Sequence, residues 1–301
     1  MSKRTILPAS VLMVALVTTA CTSPEATGSP GGSGSPSDAP TAAPASPSPE
    51  GIAHPTGADE IVLRYDESGG FVPVEFLAAH VPYFTLYGDG TVVFVSNVPV
   101  EFRENQPAIG QSIRTAKLSE AQVQDLIEFA LADGGLAIAR EQYDNPMVAD
   151  APTAVFEINA DGDSKTVSVM ALGLDTEPGP DTAIKTALAK LGERLRDFDA
   201  GGSLASQPYA PAAYRGVLLE AAGVQGVNVR AWPWPDLTLA DFALPADPNV
   251  LPQRTRVLTP AEAEGIDVAG FEAGVQGGVY YRVDDLLYSF VLRPLLPDED
   301  A

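Results

Sequence analysis

Tyr83-Phe84-Thr85-Leu86-Tyr87, Gly88-Asp89-Gly90, Thr91-Val92-Val93-Phe94-Val95 is the stretch on which the fold turns. Two runs of aromatic and β-branched residues flank three turn formers. Side chains of this shape fit a pleated, half-buried surface. Glycine supplies the positive φ that a tight reversal needs. The stretch therefore reads as a β-hairpin. A lone hairpin is barely stable in water, so the rest of the chain must add strands and a covering layer.

Both are legible downstream. Ser119 can cap a helix, and Gln122 three residues later completes a capping box. Val123, Leu126, Ile127, Ala130 and Leu131 fall on one face, and Gly134-Gly135 supply the stop. A second hairpin is predicted from Thr153–Asn159 and Lys165–Leu172 around a turn rich in Asp and Gly. A second helix opens at Asp181 or Thr182, with Ile184, Leu188, Leu191, Leu195 and Phe198 as its apolar stripe. Upstream, Ile61–Tyr65 reads as a strand and Phe71–His80 as loop with one helical turn. Residues 97–117 carry Pro99, Pro107 and Gly110 and read as a long loop. Hairpins alternating with helices give an α+β class: an antiparallel, hairpin-built sheet with helices on one face, spanning about 58–205.

Pro208-Tyr209-Ala210-Pro211 marks a break. Residues 206–301 predict a smaller, β-rich α+β domain or extension. Strands are expected at Gly216–Leu219, Val227–Trp232 and Arg254–Leu258, and a short capped helix at Thr259-Pro260-Ala261-Glu262. A closing hairpin runs through Gly278–Val283, Asp284-Asp285 and Leu286–Leu292.

The N-terminus is of another kind. Lys3 and Arg4 precede an apolar run from Ile6 to Val17, then the small residues Thr18, Thr19 and Ala20, then Cys21. This is the layout of a secretory signal, residues 1–20. The run is too short for a membrane-spanning helix, which takes about 20 residues. Its end resembles a lipobox, with Thr18 where that pattern prefers Leu, and Cys21 is the only cysteine in the chain. Lipidation of Cys21 is therefore expected, and with it attachment to the outer face of the cell membrane. Ser2-Lys3-Arg4-Thr5 read as a plain basic start rather than a twin-arginine signal. Residues 21–57 are dominated by Pro, Gly, Ser, Ala and Thr, with Ile52 the one large aliphatic side chain. Such a segment reads as a disordered tether, and His54 within it as incidental.

The chain of 301 residues has a net charge of −22, and removing Lys3 and Arg4 with residues 1–20 takes it to −24. A surface this acidic repels phosphate backbones, so no nucleic-acid partner is expected. Solubility and a monomeric state fit this charge. With Cys21 alone no intramolecular disulfide forms, so burial must hold the fold.

Phe71–Phe94, Leu118-Ser119, Ala151–Phe156 and Arg293-Pro294-Leu295-Leu296-Pro297-Asp298-Glu299 together resemble uncharacterised secreted lipoproteins of actinobacteria. The resemblance spans most of residues 60–299. It implies export and anchoring, and no activity or catalytic residue.

Motifs for chemistry are scarce. Neither a Gly-x-Ser-x-Gly elbow nor a Ser-x-x-Lys is present. A Ser–His–Asp arrangement would have to use His80, the one histidine of the folded part, which reads as structural. Zinc wants several His or Cys ligands, which are missing. Asn159–Asp163 and Asp298–Asp300 offer oxygens for calcium but read as turn and chain end. Asp66-Glu67, Asp89 and Asp284-Asp285 are carboxylates of the kind a glycosidase pairs, among 40 acids in all. Trp232 and Trp234 form a candidate ligand platform for glycan or peptide, weighed against a place in the core. The expectation is a binding or structural module of the envelope with a protein or glycan partner, no catalytic residue, no metal and no cofactor. The alternative is an envelope hydrolase using paired carboxylates. A pocket gathering acids or His80 would favour the hydrolase, and an exposed Trp232/Trp234 patch would favour binding.

Overall fold

The computed structural model describes residues 51–96, 109–174, 178–225, 227, 229–245, 253–264, 266 and 274–299. Cys21, the signal segment and the tether up to residue 50 lie outside the described residues, as does the first part of the expected loop, 97–108. The first elements are β1 (Ile61–Ser68), α1 (Val74–Ala78), β2 (Phe84–Tyr87), β3 (Thr91–Val95), β4 (Ile109–Lys117), α2 (Glu120–Leu131), β5 (Gln142–Tyr143), β6 (Thr153–Ala160), β7 (Asp163–Met170) and α3 (Thr182–Arg196). There follow β8 (Gln207–Pro208), β9 (Tyr214–Glu220), β10 (Val229–Arg230), β11 (Gln253–Leu258), α4 (Pro260–Glu264), β12 (Gly274–Val283) and β13 (Leu286–Pro294). The class is α+β, with a smaller C-terminal sheet.

The hairpin forms as read. Phe84 pairs with Phe94, Thr85 with Val93 and Leu86 with Val92. Gly90 closes the turn at φ 83°, where a Cβ would stand 2.7 Å from the Leu118 carbonyl oxygen. Strand neighbours run β5-β7-β6-β1-β2-β3-β4 and continue β4-β12-β13-β9-β11. The two limbs share β4. Its residues Ile113–Lys117 pair with β3, and its residues Ile109–Ser112 pair with β12.

This strand corrects the reading of 97–117 as loop. Ile113 is fully buried, and Ile113-Arg114-Thr115-Ala116-Lys117 is extended and paired throughout. The prolines that suggested a loop stand at 99 and 107, ahead of the strand. In the C-terminal part, the expected strand Val227–Trp232 shrinks to β10, two residues paired parallel to β12. Pro233 follows and the tryptophans turn into the core instead.

Side-chain alternation sorts the chain into three cores. Phe84, Leu86, Val92 and Phe94 face α2 and α3, where Leu126, Ile127, Leu188, Leu191 and Leu195 are buried. Phe198 packs against both hairpin phenylalanines, tilted at 4.6 Å from Phe84 and edge to face at 5.4 Å from Phe94. On the opposite face Val93, Val95 and Ile113 meet Val217, Leu219 and Val291 of the second limb. The sheet thus folds over on itself and buries a middle core that neither limb owns. The outer face of the second limb carries Leu218, Tyr281, Phe290 and Leu292, packed with Trp234 and Phe242. The capping box at Ser119 is formed: Gln122 N–H donates to its Oγ at 3.4 Å, and its own N–H donates to Gln122 Oε1 at 2.9 Å.

Residues 51–57, read as the end of the tether, lie against the folded body. Ile52 packs on the helical core. Its N–H donates to Gln124 Oε1 at 2.8 Å and its carbonyl accepts from Gln124 Nε2 at 3.0 Å. Asp161 N–H donates to the Ala53 carbonyl at 2.7 Å, and the ring of His54 lies 3.2 Å from Glu120. The physical reason is Ile52 itself: one aliphatic side chain and a matched amide suffice to hold a short strap. Gln124→Ala is expected to accelerate limited proteolysis within residues 51–60 and to cost about 1–2 kcal/mol. Cleavage kinetics equal to the wild type would show that Gln124 does not hold the strap.

Candidate functional site

The cleft that gathers most of the candidate chemistry lies beside α1. Gly69 and Gly70, at φ 85° and 78°, end β1 and turn the chain outward. A Cβ on Gly70 would stand 2.9 Å from the Asp150 carbonyl oxygen, so glycine permits the approach of the two loops. Phe71 N–H then donates to that carbonyl at 3.3 Å. The result is a cavity of about 500 Å³ walled by Glu67, Ser68, Phe76, His80, Tyr83 and Asp150. Its lip is apolar and exposed: Phe71 at 92 %, Phe76 at 49 % and Leu77 at 48 %.

Behind the wall, charges are paired. Glu67 accepts from both Tyr65 Oη and Arg196 Nη2, and Arg196 also donates to Tyr65 Oη at 2.9 Å. The close approach of α3 to Tyr65 depends on Gly192, where a Cβ would stand 3.0 Å from the Tyr65 hydroxyl. The Arg196 guanidinium lies over the rings of Tyr65 and Tyr83, at 5.7 and 5.4 Å. Burial, the hydrogen bond to Glu67 and its charge push the Tyr65 phenol well above its ordinary value. Burial and then the Glu67 charge raise Tyr83 as well. Both phenols therefore serve as neutral groups.

His80 Nε2 stands 2.6 Å from Asp66 Oδ1. Asp66 and Ser68 are two apart on β1, which places both on one side of the strand. Among the described residues no hydrogen bond joins Ser68 to His80, so a Ser–His–Asp relay is not assembled. The cleft does bring together His80, Glu67 and Asp150. Asp150 was not singled out in the sequence; its place in the cleft follows from the fold, which also holds it at a positive φ of 58°.

The other candidates have structural employment. Trp232 and Trp234 are not an exposed platform. Trp234 is buried, its Nε1 donates to the Glu262 carbonyl at 2.8 Å, and Trp232 Nε1 donates to the Leu237 carbonyl at 2.7 Å. Their rings meet edge to face at 5.0 Å amid Phe242 and Tyr281. Beyond β10 Trp234 turns into the core and Trp232 packs half-buried beside it, the core placement against which a ligand platform was weighed. Asp161 and Gly162 form the turn between β6 and β7 at φ 56° and 82°, and Asp284 turns β12 into β13 at φ 53°. Asp89 receives Thr91 N–H at 2.8 Å and Lys117 Nζ at 2.5 Å. Among the described residues no group of three or more His, Cys, Asp or Glu is gathered as a metal ion would require.

Asp298 and Glu299 act as clamps. Asp298 Oδ1 accepts from Arg64 Nη2 and Tyr87 Oη, both at 2.6 Å. Glu299 takes a two-pronged bond from Arg293, at 2.8 and 2.6 Å, and Leu296 N–H at 2.9 Å. No family model matches the chain, and no curated protein and no solved structure matches it.

Proposed function

We propose that the protein is exported, held at the outer face of the cell membrane by lipid on Cys21, and presents its α+β body as a binding module. The observation that carries the binding reading is the exposed apolar lip of Phe71, Phe76 and Leu77 over a cleft with Asp150 in its wall. Monomeric soluble proteins seldom expose large side chains in a group without a use for them. Glu67 is paired with Arg196, so the apolar lip together with the Asp150 carboxylate, which is in no ion pair among the described residues, favours a basic, apolar segment of an envelope protein. The segment Met1–Cys21 supports the anchoring part of the reading.

Hydrolysis through carboxylates is the second reading. It is favoured by the meeting of Glu67, Asp150 and His80 in one cleft. It ranks second because Glu67 Oε1 already holds two donors and His80 is bonded to Asp66.

Two measurements test the proposal. Cys21→Ala should move the protein from the membrane fraction to the soluble fraction, and unchanged fractionation would reject the anchor. A labelled Lys/Leu peptide should bind saturably, and its Glu/Leu counterpart and a neutral oligosaccharide should not. Phe71→Ser with Phe76→Ser should weaken the peptide at least about tenfold. Equal affinity of that variant rejects the lip as a binding surface. Turnover of the oligosaccharide, lost in His80→Ala, would put the hydrolase reading first.

A further inference from the structure

On the other side of α1 lies a groove of about 550 Å³ with the opposite charge. Ten residues line it: Leu77, Ala78, Val217 and Val257 are apolar, Gln253 and Thr255 are neutral and polar, and the rest are His80, Arg215, Arg256 and Arg293. None of the ten is an Asp or Glu, in a chain with 40 acids and 18 basic residues. Chance placement of side chains on so acidic a surface does not favour three arginines in one groove.

The register shows why the arrangement is costly. Arg215 on β9 is directly opposite Arg293 on β13. Like charges at opposed strand positions repel and destabilise the pair. Glu299 is the near counter-charge, but it is committed to Arg293 and to Leu296 N–H. Arg215 Nη1 approaches Glu299 Oε1 only to 3.9 Å. Among the described residues the Arg215 guanidinium makes no hydrogen bond, although its side chain is only 34 % exposed. Arg256 Nη2 donates to Glu262 Oε1 at 3.2 Å, but its Nε is buried with no hydrogen-bond partner among them. A guanidinium cannot shed its proton to escape such a place.

We propose that this groove is a binding site for an oxyanion, with Arg215 as its principal contact. The planar donor fork of arginine matches carboxylate and phosphate alike. Arg293, already fixed by Glu299, adds field rather than a free fork. Leu77, Val217 and Val257 offer an apolar wall to whatever body the anion carries. Burial and the Arg293 charge both lower the Arg215 pKa, in keeping with a cation short of counter-charge. The groove shares Leu77 and His80 with the cleft on the other side of α1, but its arginines are its own, and neither Cys21 nor the lip residues Phe71 and Phe76 contribute to it.

The test is calorimetric titration of the purified protein at constant ionic strength with inorganic phosphate and with benzoate, against chloride as control. At least one oxyanion should bind saturably and raise the melting temperature, as a ligand of the folded state must. Benzoate binding more tightly identifies an organic carboxylate as the preferred class, and phosphate binding more tightly identifies a phosphate. Arg215→Gln should weaken either at least about tenfold, the loss of one charge-assisted contact, and should melt at or above the unliganded wild type because the repulsion is gone. Arg215→Lys should retain part of the affinity. Saturable binding that is equal in Arg215→Gln, or no saturable binding of either anion to the wild type, overturns the proposal.

Discussion

Asp298→Ala is expected to destabilise the protein by about 3 kcal/mol, because it removes the acceptor and leaves two donors in place. Arg64 Nη2 and Tyr87 Oη both end on Asp298 Oδ1, and the side chains of Arg64 and Asp298 are only 19 % and 16 % exposed. For a unit of this size the loss corresponds to a fall in melting temperature of roughly 6–12 °C. The pH dependence follows from the direction of the shifts. Burial acts to raise the Asp298 pKa, but hydrogen bonds from Arg64 and Tyr87 and the Arg64 charge outweigh it and hold the carboxyl below its ordinary value. Glu299 is lowered likewise, by Arg293 and the Leu296 amide against burial. A depressed folded-state value stabilises the protein above the unfolded value, near pH 4, and that contribution fades as pH falls through the folded one. The gap in stability between wild type and Asp298→Asn should therefore narrow as pH drops from about 5 toward 2. Chemical denaturation at pH 7 and pH 3 measures it. A gap that is constant with pH would show that the clamp does not depend on the carboxylate charge.

Trp234→Ala should cost about 3–5 kcal/mol, the range for emptying an aromatic site in a packed core. The ring contacts Trp232, Phe242, Tyr281 and Phe290, and the indole N–H would leave the Glu262 carbonyl without its donor. Trp234→Phe should cost less, since most of the volume stays. The chain has two tryptophans, so indole emission reports directly on this core. The wild type should emit at short wavelength and shift to the red on unfolding. A Trp234→Ala variant as stable as the wild type would return the residue to the surface role that its sequence context allowed.

Much of this architecture was readable from short-range chemistry. The hairpins at 83–95 and 153–172, the capping box at Ser119 and the stripe from Ile184 to Phe198 each depend on neighbours within a few residues. What escaped depends on distant partners. Ile109–Lys117 became a strand because β3 and β12 supply partners on either side, and no local pattern announces that. Trp232 and Trp234 read more readily as core than as platform, and the company of Phe242 and Tyr281 beside them, which the sequence does not show, agrees with that. The cleft beside α1 and the arginine groove could not be assembled from the sequence. His80, Asp150, Arg215 and Arg293 come from separate parts of the chain, and nothing local marks them as neighbours. Ile52 was visible as the one aliphatic residue of a polar segment, yet its partner Gln124 was not.

The sharing of β4 between two limbs also bears on the order in which the chain can be completed. Chains emerge from synthesis with the N-terminus first, so β1 to β4 exist long before β12 and β13. Until those strands arrive, the N-terminal half of β4 is a bare sheet edge, and Val93, Val95 and Ile113 are an uncovered apolar face. Unpaired edges of that kind recruit other chains. Pairings between distant segments are also slow to form. A chain truncated before Gly274 is thus expected to self-associate rather than remain as a stable half-molecule.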